Sequence, residues 1–170
     1  MPHALNAHLP DDIVIKSASI VPDDFRANQS AVKKTYVYRI LNTKYNDAFL
    51  RNYAWHFRHA LDVGKMEKAA EACLGEPDFI GFASAGFSVK TTVRTIYSLD
   101  VTKTGDVIEI EICGNGFLYN MVRIIAGTLA YMGNGKIDYR DAAEIIASCD
   151  RDRAGITAPP QGLFLKEVFY

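Results

Sequence analysis

One permanent cation stands inside an apolar stretch. From Phe117 to Met132 the chain is apolar on almost every side, yet Arg123 sits in its middle. A guanidinium in that setting has two ways to be accommodated. It can snorkel out between apolar neighbours, its stem covering core surface. Or it can meet a carboxylate, which would then be held ionised, with a lowered pKa, inside an apolar pocket. Two tyrosines, Tyr36 and Tyr38 in "KTYVYRIL", would share one face of a strand. Strand tyrosines commonly pack in a core or at an edge. They can also form an aromatic platform for a nucleobase, with Lys33, Lys34 and Arg39 nearby for phosphates.

Other candidates carry less. His56 and His59 in "WHFRH" are three apart, but no carboxylate or cysteine nearby completes a ligand set, so no metal site is expected. "GNGK" at Gly133–Lys136 lacks the spacing of a phosphate-binding loop and the Ser or Thr that would follow it, and reads as a helix C-cap. No nucleophile-elbow or dinucleotide-binding glycine motif occurs. Cys73, Cys113 and Cys149 are widely spaced and odd in number, as expected of reduced core thiols in a cytosolic protein. The sequon Asn28-Gln29-Ser30 reads as chance.

The elements that must position these residues follow from periodicity. Ile13 to Val21 is β-leaning between Pro10 and Pro22. Lys34 to Leu41 is a strand, with Tyr36, Tyr38 and Ile40 on one face and Thr35, Val37 and Arg39 on the other. Asp62 can cap a helix running through Leu74, with Val63, Met66, Ala70 and Cys73 as its apolar face and Gly75 at its end. Val93–Val101 and Val107–Ile112 flank "TKTGD" as a hairpin, and Ile108, Ile110 and Ile112 alternate with Glu109 and Glu111. Asn115 is positioned to cap a helix over Phe117–Met132, and Asp138 one from Tyr139 to about Ser148. "TAPPQG" is a loop before a final strand, Leu163–Tyr170. The pattern predicts an α+β fold: a mixed, mainly antiparallel sheet with helices packed on one face.

The 170 residues fit one domain or two tightly fused halves, and at 49% hydrophobic and 23% charged they can build a real core. The longest apolar run is too short and too polar to span a bilayer, and the N-terminus lacks a basic region followed by an apolar stretch, so no membrane or secretory role is expected. A net charge of −1 and a pI near 6.4 give no general support for nucleic-acid binding, so any RNA site must be a local patch.

Six stretches in order resemble the C-terminal half of the bacterial tRNA pseudouridine synthase A family. They are "ALNAHLPDDI", "VPDDFRANQSAVKKTYVYRI", "CLGEPDFIGFAS", "TVRTI", "GNGFLYNMVRIIAGTL" and "TAPPQGLFL", running from Ala4 to Leu165. The resemblance implies a pseudouridine synthase-like fold. It also implies isomerisation of uridine to pseudouridine in the tRNA anticodon stem-loop, at positions 38 to 40. No cofactor, a cytoplasmic homodimer, and a target base that leaves its stack are implied as well. By position, Tyr36 falls on the family tyrosine that stacks on the target uracil. Arg123 falls on the arginine that pairs with the catalytic aspartate, and Leu163 or Leu165 on the apolar wall of the uracil pocket. Where the family usually reads F-H-A-R-x-S-A, this chain has Arg26 for the histidine and Asn28 for the arginine.

The family aspartate lies in G-R-T-D-A-G-V-H, a stretch that does not occur in these 170 residues. Asp23, Asp24 and Asp78 match non-catalytic family positions. The expectation is therefore that residues 1–170 form the C-terminal domain of such an enzyme without its catalytic-aspartate half, and are inactive alone. Arg123 would then lack its ion and face a pocket open to water. The alternatives are a stand-alone RNA-binding or dimerising module, and an α+β structural domain with no RNA role.

Overall fold

The strand that carries both tyrosines is the centre of the sheet. A computed structural model describes residues 2–86 and 89–170. It comprises two units, one within the first 31 residues and one over Val32–Tyr170.

The first unit holds a short helix, α1 (Pro2–Asn6), and otherwise extended or turning chain. The strand expected over Ile13–Val21 does not form. A strand needs a neighbour to fill its backbone bonds. Here the Ile15 peptide is met by a side chain instead: Asn6 Nδ2 donates to Ile15 O at 2.9 Å, and Ile15 N donates to Asn6 Oδ1 at 2.8 Å. Ile13, Val14, Ile20 and Val21 are left exposed.

In the second unit β1 (Lys33–Leu41) has β4 (Val107–Gly114) antiparallel along one edge. Its other edge is shared by β5 (Leu163–Phe169), antiparallel, and the two-residue β2 (Trp55–His56), parallel. β3 (Ile96–Thr104) pairs with β4 through a two-residue turn, Gly105-Asp106. Gly105 takes a φ of 58°, as the first central residue of a type II′ turn requires. The expected hairpin is present, but the strands run further into "TKTGD" and β3 starts later, at Ile96.

Parity sorts the sheet. Tyr36, Tyr38 and Ile40 pair with Ile112, Ile110 and Ile108, and this face packs under the helices. The opposite face carries the cross-strand ion pairs Arg39–Glu109 and Lys166–Glu111. The two covering helices are α2 (Val63–Ala70), capped by Asp62 as expected, and α3 (Met121–Gly133). A short α4 (Ala142–Ala147) completes the layer, preceded by a 3₁₀ turn that Asp138 caps. This is the α+β architecture expected, with a mixed, mainly antiparallel sheet. Of the thiols only Cys73 is core, pushed up to about 12 by burial, whereas Cys149 is exposed in a left-handed turn after α4. Among the described residues no helix is long and apolar enough to cross a membrane.

Of the thirteen residues of α3 only Arg123 and Tyr131 are not buried. The helix is apolar all round because it has neighbours on several sides: the sheet, α2, and the chain at 155–158. That last contact requires glycine. A Cβ at Gly127 would overlap the Ile156 carbonyl oxygen. Gly127→Ala is expected to cost about 1–3 kcal/mol by overpacking. Gly64→Ala, at an open helical position, should leave stability unchanged or raise it by up to about 1 kcal/mol. Urea unfolding of the two variants checks the contrast.

Candidate functional site

Arg123 emerges from the first turn of α3 into an open pocket of about 210 Å³. The same pocket is lined by Tyr36 from β1, Leu163 from the start of β5, Phe117 to Asn120 from the turn before α3, and Met121 and Val122 from its first turn. Residues far apart in sequence are thus brought together by the central position of β1 and its pairing with β5. Tyr36 and Phe117 pack in a T-shape, with ring centres 5.2 Å apart and planes at 87°. Burial raises the Tyr36 phenol above the ordinary tyrosine range.

The turn before α3 departs from expectation. The helix does not begin at Phe117, and Asn115 does not cap it. Asn115 instead ties β4 back to β3: its Oδ1 accepts from Thr95 N at 3.0 Å. The residue before the helix is Asn120, in a left-handed conformation with φ 61°. That conformation ends any helix that would run from Phe117, and lets Phe117 and Leu118 turn into the pocket and the core.

The guanidinium of Arg123 is held by neutral oxygens. Its Nε donates to Ala158 O at 2.7 Å, and its Nη1 to Asn120 Oδ1 at 2.8 Å. The Ala158 N–H in turn donates to Arg123 O at 3.1 Å. None of the five ion pairs among the described residues includes Arg123, and no carboxylate oxygen lies within 4.0 Å of it. Arginine donates only. Two neutral acceptors fix its position without cancelling its charge, and Nη2 has no hydrogen-bond partner among the described residues.

The loop that supplies Ala158 is stitched at each step. Gly155 N donates to Thr128 Oγ1 at 2.8 Å, and Arg151 Nη1 donates to Gly155 O at 2.8 Å. Tyr38 Oη donates to Pro159 O at 2.6 Å. The two tyrosines are therefore placed differently. Tyr38 is fully buried and holds the loop, whereas Tyr36 stays partly open on the pocket.

The remaining candidates stand elsewhere. Leu165 lies opposite Tyr36 in register but is 54% exposed, and Leu163 is the leucine that lines the pocket. Arg39 is on the opposite sheet face, paired with Glu109 at 2.7 Å and stacked on Phe164. Lys33 covers the Phe169 ring at 4.2 Å, and Lys34 follows it at the start of β1. His56 Nε2 lies 2.9 Å from Thr43 O, and no metal-binding group of three or more His, Cys, Asp or Glu occurs among the described residues. Asn120, Phe117 and the Tyr38–Pro159 bond were not singled out from sequence. The one available signal was an Asn immediately before an apolar helical run.

The tRNA pseudouridine synthase family profile matches residues 69–170. The chain belongs to that family. It is 51% identical over 170 residues to the tRNA pseudouridine synthase A of Thermoanaerobacter sp. (strain X514), covering all of this chain and 70% of the relative. It is 50% identical over 169 residues to that of Bacillus subtilis (strain 168), covering 99% of this chain and 68% of the relative. Against the tRNA pseudouridine synthase A 2 of Clostridium tetani (strain Massachusetts / E88) the identity is 45% over 168 residues, with coverages of 99% and 68%. The chain corresponds to the C-terminal part of these synthases, and to more than the half that the motif order implied.

Removing the Tyr38 hydroxyl tests the stitching. Tyr38→Phe leaves Pro159 O without its partner and is expected to cost about 1 kcal/mol at neutral pH. Burial also raises the Tyr38 phenol, with Arg123 pulling partly the other way. A raised folded value means the stabilisation is present below the unfolded tyrosine value, about 10, and is lost as pH rises through the folded one. The stability gap between wild type and Tyr38→Phe should therefore narrow above about pH 10, as followed by urea unfolding across pH.

Proposed function

We propose that this chain supplies the base-stacking wall and the anion-pairing arginine of an active site that isomerises uridine to pseudouridine in the tRNA anticodon stem-loop, at positions 38 to 40. The reading includes a cytoplasmic homodimer that needs no cofactor. The observation that carries it is one pocket in which Tyr36, Leu163 and Arg123 converge while Arg123 keeps an unneutralised charge. A ring on the Tyr36 face would stack, and Leu163 would close the pocket against water. The carboxylate that Arg123 awaits is an aspartate in a G-R-T-D-A-G-V-H stretch, outside these 170 residues. In the reaction C1′–N1 breaks, the uracil turns, and C1′–C5 forms. The C5 proton is lost and N1 gains one. The aspartate acts as nucleophile or general base, and Arg123 keeps it ionised.

Two measurements test this. The 170-residue chain incubated with unmodified tRNA should yield no pseudouridine; turnover like that of a full-length synthase would overturn the reading. In the full-length enzyme Tyr36→Leu should slow the single-turnover rate by roughly tenfold to a hundredfold, since base–aromatic stacking is worth about 1–3 kcal/mol. Affinity for tRNA should change little, because phosphate contacts elsewhere dominate it. Weaker tRNA binding with an unchanged single-turnover rate would count against the stacking role.

A further inference from the structure

Asn120 spends its side chain in an unusual way. An asparagine just before a helix ordinarily caps it, accepting from a backbone N–H of the first turn. Asn120 makes no such bond. Its Oδ1 accepts from Arg123 Nη1 at 2.8 Å, and its Nδ2 donates to Ser84 Oγ at 2.9 Å. The amide orientation is settled by chemistry: a guanidinium only donates, so the oxygen must face it. The residue also adopts a left-handed backbone, which non-glycine residues visit sparingly and asparagine more readily than most. Such conformations persist where the surroundings over-determine them. Here those surroundings include a second tie between the same two segments, Ser84 N donating to Tyr119 O at 3.0 Å.

We propose that Asn120 is a positioning residue for the isomerisation, anchored on Ser84, which holds the Arg123 guanidinium so that its free nitrogen edge faces the pocket. The proposal rests on the reading of Arg123 as the partner of a catalytic carboxylate. Ala158 fixes the guanidinium at Nε, but one bond leaves the group free to swing about it. Asn120 supplies the second point. Two points define the orientation of a planar group, and the third nitrogen is presented as a consequence. Because the amide is neutral, orientation is set without neutralising the charge.

Two substitutions separate holding from neutralising. Asn120→Gly removes the side chain but suits the left-handed backbone, so the fold should keep its stability. A carboxylate in Asn120→Asp keeps an acceptor on Nη1 and tolerates the backbone, but it occupies the arginine charge. In the full-length enzyme Asn120→Gly should lower kcat by about tenfold to a hundredfold, as misplacement of a reacting group does, with KM for tRNA within about twofold. Asn120→Asp should lower kcat at least as much. In the 170-residue chain, NMR of the Arg123 side chain should show faster rotation about Nε–Cζ in the glycine variant and slow rotation in the aspartate variant.

Asn120→Gly with wild-type kcat and unchanged guanidinium rotation would overturn the proposal, as would a variant whose only change is a lower Tm. Arg123→Met distinguishes this from failure of the underlying reading. If Arg123→Met abolishes single-turnover chemistry while Asn120→Gly does not slow it, only the Asn120 proposal falls. If Arg123→Met retains full chemistry, both fall.

Discussion

A guanidinium cannot be left in an apolar layer without acceptors, and this fold meets that requirement with a peptide group. Ala158 takes the Nε–H of Arg123 and returns its own N–H to the Arg123 carbonyl. Hydrogen bonds to a charged group are among the stronger ones, and leaving either side unmade is costly. The reciprocal pair therefore locks the loop at 155–162 to the first turns of α3. Gly127 permits the close approach, Thr128 receives Gly155, and Tyr38 fastens Pro159 from below. The loop then delivers Leu163 to the start of β5, beside the strand that carries Tyr36. Pocket and core are products of the same set of contacts.

The choice of neutral acceptors has a chemical consequence. A carboxylate inside the chain would have neutralised Arg123, whereas the two neutral acceptors do not. Surface ion pairs in this chain, such as Arg39–Glu109 and Lys166–Glu111, are partly exposed and contribute little. Arg123 is the contrasting case: positioned by dipoles, partly open to a pocket, and still a full charge. Under the proposed function, that arrangement leaves a cation preorganised for an anion.

Much of the sheet was legible because its signals are local. β1, the hairpin and β5 announce themselves by β-branched and aromatic residues with a period of two, and parity alone put Arg39 on the face away from Tyr36. Two elements were misread, and for related reasons. Ile13–Val21 has strand composition but pairs with no strand among the described residues, and a side chain meets the Ile15 peptide. Helix α3 starts late because Asn120 turns left-handed, a choice tied to Ser84, 36 residues away, as well as to Arg123. Arg123, Tyr36 and Leu163 could be named from motif positions. The acceptors of Arg123 could not: Ala158 lies 35 residues away, and nothing in "TAPPQG" marks its peptide as an arginine ligand. The same limit applies to Tyr38, whose bond to Pro159 spans 121 residues.

Under the proposed function, neutral groups hold Arg123 so that its charge acts on a carboxylate. The most direct measurement is the pKa of the G-R-T-D aspartate in the full-length enzyme, followed by carbon-detected NMR, with Arg123 present and with Arg123→Met. With arginine the carboxyl should titrate well below the usual aspartate value of about 3.9, and with methionine it should rise by about one unit or more. Equal values in the two proteins would contradict the claim, because Arg123 would then be a purely structural cation whose charge the active site does not use.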